Sequence, residues 1–175
     1  MKSIPIFFSV SEQSVPGFAA ALDSIRNNAS RRFNYHIHIL CNNLSKESVH
    51  RILSMEKGKI SVEFAPIGDD LGTDALATFR LISLLFPDYD KCVFLAAGIV
   101  PLEDIAELWE EPLGHKFYGS ADGKTSSDVL LVNLSRIRES GIPSSLPRNE
   151  VLYLDPCWGD APDGAFRKFA LANMF

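Results

Sequence analysis

Few side chains in this chain are both of a reactive type and spaced for chemistry. His36 and His38 stand two residues apart on a strand-like run, so both imidazoles face one way with metal-ligand spacing. No third ligand stands at a distance readable from sequence, and the plainer reading is a pair of half-buried strand histidines. Asp69, Asp70 and Asp74 could hold a cation or form an acid/base pair. Acids ahead of a helix also stabilise its amino-terminal dipole, which is the stronger reading. Asp155, Asp160 and Asp163 fall in a Pro/Gly-rich stretch and read first as solvated turn residues. Arg80 sits on an apolar helical stretch, where its plain role is a surface ion pair. No G-x-S-x-G elbow, G-x-G-x-x-G turn or P-loop occurs, which removes serine-triad, dinucleotide and P-loop readings.

The elements that would carry these residues alternate between strand and helix patterns, which predicts a mostly parallel sheet with flanking helices. Ile4–Val10 reads as a first strand and Val15–Asn28 as a helix with Val15, Phe18, Ala19, Leu22 and Ile25 on one face. Phe33–Cys41 alternates, with Tyr35, Ile37 and Ile39 opposite His36 and His38. Ser45 caps a helix to about Glu56 with Val49, Ile52 and Leu53 inward, and Lys59–Pro66 is a third strand. A helix from Thr73 or Asp74 to Phe86 turns Leu76, Phe79, Ile82 and Leu85 inward and ends at Pro87. Cys92–Ala97 is a fully buried strand, and Leu102–Trp109 a short helix with Leu102, Ile105 and Leu108 inward. Lys116–Ala121, Asp128–Asn133 and Val151–Asp155 are further strands. Ser135–Ser140 is a helical turn at most. Gly164–Phe175 reads as an amphipathic helix through Phe166, Phe169, Ala170 and Met174.

The chain has 175 residues, 46% hydrophobic and 22% charged, which fits one globular domain over 1–175 able to bury its own core. A net charge of −5 with no basic run argues against a nucleic-acid partner. The apolar start is too short to span a membrane and makes a poor signal peptide. Cys41, Cys92 and Cys157 are dispersed, with no C-x-x-C, and point to a reducing cytoplasmic compartment.

The segment Lys91-Cys-Val-Phe-Leu-Ala-Ala-Gly-Ile-Val100 has the greatest consequence for function. In an α/β protein the ligand lies past the carboxyl end of such a strand. Here that end offers Ala96, Ala97 and Gly98, which neither bind metal nor move protons. Its surroundings resemble a known family. Ile4-Pro-Ile-Phe-Phe-Ser with Val15-Pro16, Thr78-Phe-Arg80-Leu81, Phe86-Pro-Asp-Tyr-Asp-Lys-Cys-Val-Phe-Leu95, Leu102-Glu-Asp-Ile-Ala-Glu-Leu-Trp109, Asp128-Val-Leu-Leu-Val-Asn-Leu134 and Val151-Leu-Tyr-Leu-Asp-Pro-Cys-Trp158 come in the order of landmarks in the family 8 glycosyltransferases. These are retaining enzymes with a GT-A fold that use nucleotide sugars and Mn²⁺ or Mg²⁺. The resemblance implies a three-layer α/β/α fold of the nucleotide-diphospho-sugar transferase type, covering the chain to about Gly159.

The departures fall on functional positions. The family's Leu-Asp-x-Asp metal motif is Leu95-Ala96-Ala97-Gly98 here. Hard cations need oxygen ligands, and without the ion nothing bridges the diphosphate or neutralises the leaving group. Ser11 and Ser14 stand where the family has an Asp and a Tyr near the nucleobase. Ser126 and Asp128 replace the Asn and Gly of an Asn-Ser-Gly stretch. The late strand's Trp-Asn pair reads Trp158-Gly159. The Arg138–Val151 interval is too short for an Asp-Gln-Asp stretch, and the family's C-terminal His-x-x-Gly-x-x-Lys-Pro-Trp segment does not occur.

The resemblance with these departures implies a shortened, divergent family 8 glycosyltransferase-like protein without metal-dependent transferase activity. No catalytic residue, cofactor or metal site is assigned. Ser9, Ser11, Arg80, Ala97 and Gly98 would line a vestigial nucleotide-sugar cleft past Val10 and Ala97, binding a UDP-sugar weakly. Two rivals stand beside it. One is a live, metal-independent transferase in which Arg80 and Lys124 replace the cation. The other is a non-catalytic interaction subunit, a homodimer formed through Phe166, Phe169 and Met174 of the C-terminal helix.

Overall fold

The computed structural model describes residues 2–67, 75–141 and 148–159, with the backbone of 169–171. Its strands are β1 (Lys2–Val10), β2 (Phe33–Cys41), β3 (Ile60–Pro66), β4 (Lys91–Ala96), β5 (Ile99–Pro101), β6 (Tyr118–Ser120), β7 (Val129–Asn133), β8 (Val151–Tyr153) and β9 (Phe169–Leu171). Its helices are α1 (Val15–Asn28), α2 (Lys46–Leu53), α3 (Ala75–Leu85), α4 (Ala106–Glu110) and α5 (Leu134–Ser140).

One sheet runs β3-β2-β1-β4-β7-β6-β8, and β5 pairs with β9 apart from it. β1 lies parallel to β2 and β4, β2 to β3, and β6 to β8. β7 is antiparallel to both β4 and β6, so the sheet is mostly parallel with one reversed strand. The expected α/β architecture is present.

Alternation along β1 sets up two cores. Ile4, Ile6, Phe8 and Val10 join α1, with Phe18, Leu22 and Ile25, in one layer that also takes Ile52 of α2 and Leu108 of α4. Phe7 points the other way, into a second layer with Phe79 and Ile82 of α3 and Ile137 of α5. Both faces of the central strands are therefore buried, as near-continuous apolar runs require. Tyr35 crosses the first layer with its ring fully buried. Its hydroxyl donates to Asp104 Oδ1 at 2.7 Å and accepts from Ser30 N at 3.0 Å, which satisfies the buried phenol.

Several expectations are corrected. Leu53, Leu85 and Leu102, expected inward, are 41%, 52% and 48% exposed. Leu53 and Leu85 are the last residues of their helices, where the periodic face has already run past the sheet. Leu102 precedes α4, which is shorter than the pattern suggested. Ser135–Ser140 is part of a full helix, α5, because Asn133 Oδ1 accepts from Arg136 N at 3.1 Å and caps it. The C-terminal helix is overturned over 169–171, where the backbone is a strand with Phe169 opposite Pro101 and Leu171 opposite Ile99. Long-range strand pairing there overrides a helical apolar spacing. Phe166 and Met174, the remaining residues of the expected dimer face, lie outside the described residues, as does the start of the α3 helix at Thr73 or Asp74.

Candidate functional site

The carboxyl ends of β1 and β4 meet where the empty motif was expected. Ser9 is paired in register with Ala96, so the loop that starts at Ser11 and the turn Ala97-Gly98 leave the sheet at the same end of these two strands. Ala96 N donates to Asp128 O at 2.9 Å, which ties this end to the β6–β7 connection. Ala97 is 8% exposed and packs into the first core. Gly98 faces open space, with nothing within 4 Å of a Cβ built on it. The edge therefore has room for a carboxylate at 98, and the sequence supplies none. Arg80 sits on the exposed side of α3, which belongs to the layer opposite α1 and α2. Ser9, Ser11, Ala97 and Gly98 thus lie at the same end of adjacent strands, while Arg80 stands on α3 in the opposite layer and is not brought to them by any contact among the described residues.

The loops around this edge spend their polar groups on each other. Ser11 N donates to Ser14 Oγ at 2.9 Å, and Ser14 Oγ donates back to Ser11 O at 3.0 Å. The Glu12 carboxylate accepts from Ser48 Oγ at 2.6 Å, Ser45 Oγ at 2.8 Å and Ser45 N at 2.9 Å. The Ser48 hydroxyl, followed by the Ser45 N–H and hydroxyl, holds Glu12 below the usual carboxylate range. Ser45 Oγ also accepts from Ser48 N at 3.1 Å, so the amino end of α2 is capped from two sides. Sequence reasoning identified Ser45 but missed Glu12, whose partners lie more than thirty residues away.

Asp122 organises the β6–β7 connection. Its Oδ1 accepts from Lys124 N at 2.9 Å and from the Ser127 hydroxyl, while Lys124 Nζ lies 3.6 Å from Oδ2. Partial burial alone would raise its pKa, but the Ser127 hydroxyl and the Lys124 N–H outweigh that and hold it down. Lys124, a candidate stand-in for a cation, is therefore already turned toward a carboxylate. Gly159 packs on the same connection, and a Cβ there would lie 2.5 Å from Ala121 Cβ.

Among the described residues no three His, Cys, Asp or Glu side chains are grouped to hold a metal ion. Asp69, Asp70, Asp74, Asp160 and Asp163 lie outside the described residues. Asp155 instead accepts from Cys157 N at 2.9 Å and caps a short turn. A cavity of about 680 Å³ opens at the amino-terminal ends of β1, β2 and β4, lined by Lys2, Phe33, Asp90, Lys91, Trp109 and Asn133 among others. Its floor is occupied by Lys91, whose ammonium lies 4.7 Å over the Trp109 ring and donates to Trp109 O and Glu111 O. That arrangement reads as a structural clamp.

His36 and His38 do share a face, and both reach Tyr89. His36 Nδ1 is 3.3 Å and His38 Nε2 is 3.1 Å from its hydroxyl. His38 is 3% exposed, stacked on Phe7 at 4.6 Å and 18°. Burial, then the neighbouring His36, lowers its pKa to about 4.

Residues 5–143 match the model of glycosyl transferase family 8. No curated protein sequence matches the chain. Among solved structures, the apo form of the bifunctional glycosyltransferase WbbM superposes with a TM-score of 0.66 at 18% identity, over 79% of this chain and 32% of that one. The galactosyltransferase LgtC, in complex with donor and acceptor sugar analogs, gives 0.64 at 18% identity over 78% and 60%. Mouse xyloside xylosyltransferase 1 gives 0.60 at 17% identity over 79% and 68%. At these identities the likeness is one of fold, GT-A-like α/β, and the chain spans only part of the length of each.

Proposed function

The chain belongs to glycosyl transferase family 8, and on that footing we propose that it keeps the nucleotide-sugar scaffold without metal-dependent transferase chemistry. The observation that carries this reading is Ala96-Ala97-Gly98 at the carboxyl end of β4, beside Ser9 and facing open space at Gly98. Alanine and glycine at 96–98 supply no side-chain oxygen with which to hold a hard cation that would bridge a diphosphate. The neighbouring loops agree, because Ser11, Ser14 and Glu12 are engaged with one another or with α2. The reading leaves the strand end at Ser9, Ser11, Ala97 and Gly98, together with Arg80, to hold a UDP-sugar weakly. The dispersed cysteines Cys41, Cys92 and Cys157, with no C-x-x-C among them, fit a reducing, cytoplasmic setting. Pairing of Lys124 with Asp122 weighs against the metal-independent rival, which needs that charge for phosphate.

Incubation of the chain with UDP-hexoses and Mn²⁺ tests the reading by released UDP. No release above buffer is expected, and metal-dependent release that saturates with donor would overturn it. The same reading separates two substitutions toward the family pattern. Gly98→Asp enters open space and should change stability by less than about 0.5 kcal/mol. Gly159→Asn must displace Ala121 and should cost about 1–3 kcal/mol in urea unfolding.

A further inference from the structure

The histidine pair of β2 is unused by the donor edge, and it converges on one oxygen. His36 Nδ1 and His38 Nε2 lie 3.3 and 3.1 Å from Tyr89 Oη. Those are hydrogen-bond distances, and they also match the spacing of ligand atoms around a tetrahedral ion whose bonds are about 2.0–2.1 Å, which is roughly 3.3 Å. On its far side the His38 ring presents Nδ1 to Glu63 Oε2 at 3.2 Å, across the β2–β3 pairing that sets His38 opposite Glu63. That Nδ1 is buried and lacks a well-formed hydrogen bond, although the residue is 3% exposed. A liganding histidine commonly has a carboxylate behind its second nitrogen, fixing the tautomer that points a lone pair at the metal.

We propose that His36 Nδ1, His38 Nε2 and the Tyr89 phenolate form a site for a borderline divalent ion of the Zn²⁺ type, with Glu63 positioning His38 and water in the remaining place. Two imidazoles and one oxygen suit such an ion and not Mg²⁺ or Ca²⁺. The site is separate from Ala96–Gly98. It joins β2 to the connection between α3 and β4, near Phe7, which stacks on His38, and Phe86, whose ring is tilted against it. Tyr89 ligates as the phenolate, so its hydroxyl proton passes to solvent on binding. One proton leaves per ion bound, and affinity rises with pH.

Titration of the chelator-treated full chain with ZnCl₂ tests the proposal by calorimetry, thermal unfolding and ultraviolet difference absorption. The expected result is one ion per chain, a rise in Tm with zinc, and a tyrosinate band that grows with saturation. His36 is half-buried, so H36A should fold, and it should weaken binding at least tenfold. Tyr89→Phe should weaken binding and abolish the tyrosinate band. The proposal is overturned if the wild-type chain shows no saturable binding. It is equally overturned if H36A and Y89F bind as the wild type does, which would send the ion to the cysteines or to His50 and His115.

Discussion

Phe7→Ala lowers the free energy of unfolding by about 3–5 kcal/mol, the full cost of truncating a buried phenylalanine in the second layer. Phe7 is fully buried in the centre of β1. Its ring stacks on His38 at 4.6 Å and meets Phe86 edge-on at 5.0 Å. Alanine removes apolar area and leaves a cavity that β2 and β4, both hydrogen-bonded to β1, cannot close. Urea unfolding followed by circular dichroism measures the loss. A cost below about 1 kcal/mol would show that α3 collapses into the space. The substitution also uncovers His38, so its pKa should move back up toward the ordinary histidine value.

Acid weakens the fold through the same residue. In chelated protein, unfolding free energy should fall by up to about 3 kcal/mol between pH 7 and pH 4 on account of His38 alone. The folded chain holds the His38 pKa at about 4, below the ordinary 6.5. Between those values the unfolded chain binds more protons, so stability is complete above about 6.5 and is lost progressively down to about 4. Glu63 lies 3.2 Å from the ring and works in the opposite direction. Its side chain is 66% exposed, so solvent screens its field and burial prevails. His36 and Tyr89 face the ring from the other side. His38→Gln, measured alongside wild type across the range, should flatten this part of the curve. An unchanged slope would assign the acid sensitivity to other groups.

Much of the architecture is legible from residue pattern. β2 alternates cleanly because one face meets α1 and the other meets α3, and its limits are Phe33 and Cys41 as expected. α1 begins at Val15, where Pro16 suits a first turn, and ends at Asn28 as expected. β5 is three residues containing a proline, and it exists only through pairing with 169–171. Nothing local announces such a strand, and a helical apolar spacing in the same segment pointed elsewhere. Leu53 and Leu85 failed for a simpler reason, since periodicity cannot tell where a helix outruns the sheet beneath it.

At the candidate site, the emptied positions were readable because Ala96, Ala97 and Gly98 follow an unmistakable buried strand. The contacts that replace ligand binding were not. Glu12 reaches Ser45 and Ser48, and Tyr89 reaches His36 and His38, across intervals of 33 to 53 residues. A tyrosine in the turn Pro87-Asp-Tyr-Asp90 carries no mark of its partners. Only the parallel register of β1, β2 and β4 brings those loops together.

Calorimetric titration with UDP and several UDP-sugars, with and without Mn²⁺, bears most directly on the central claim that the scaffold persists without its metal chemistry. The account predicts no binding, or weak binding that Mn²⁺ and chelator leave unchanged. Micromolar binding that requires Mn²⁺ would contradict it, because Ala96, Ala97 and Gly98 offer that ion no ligand side chain.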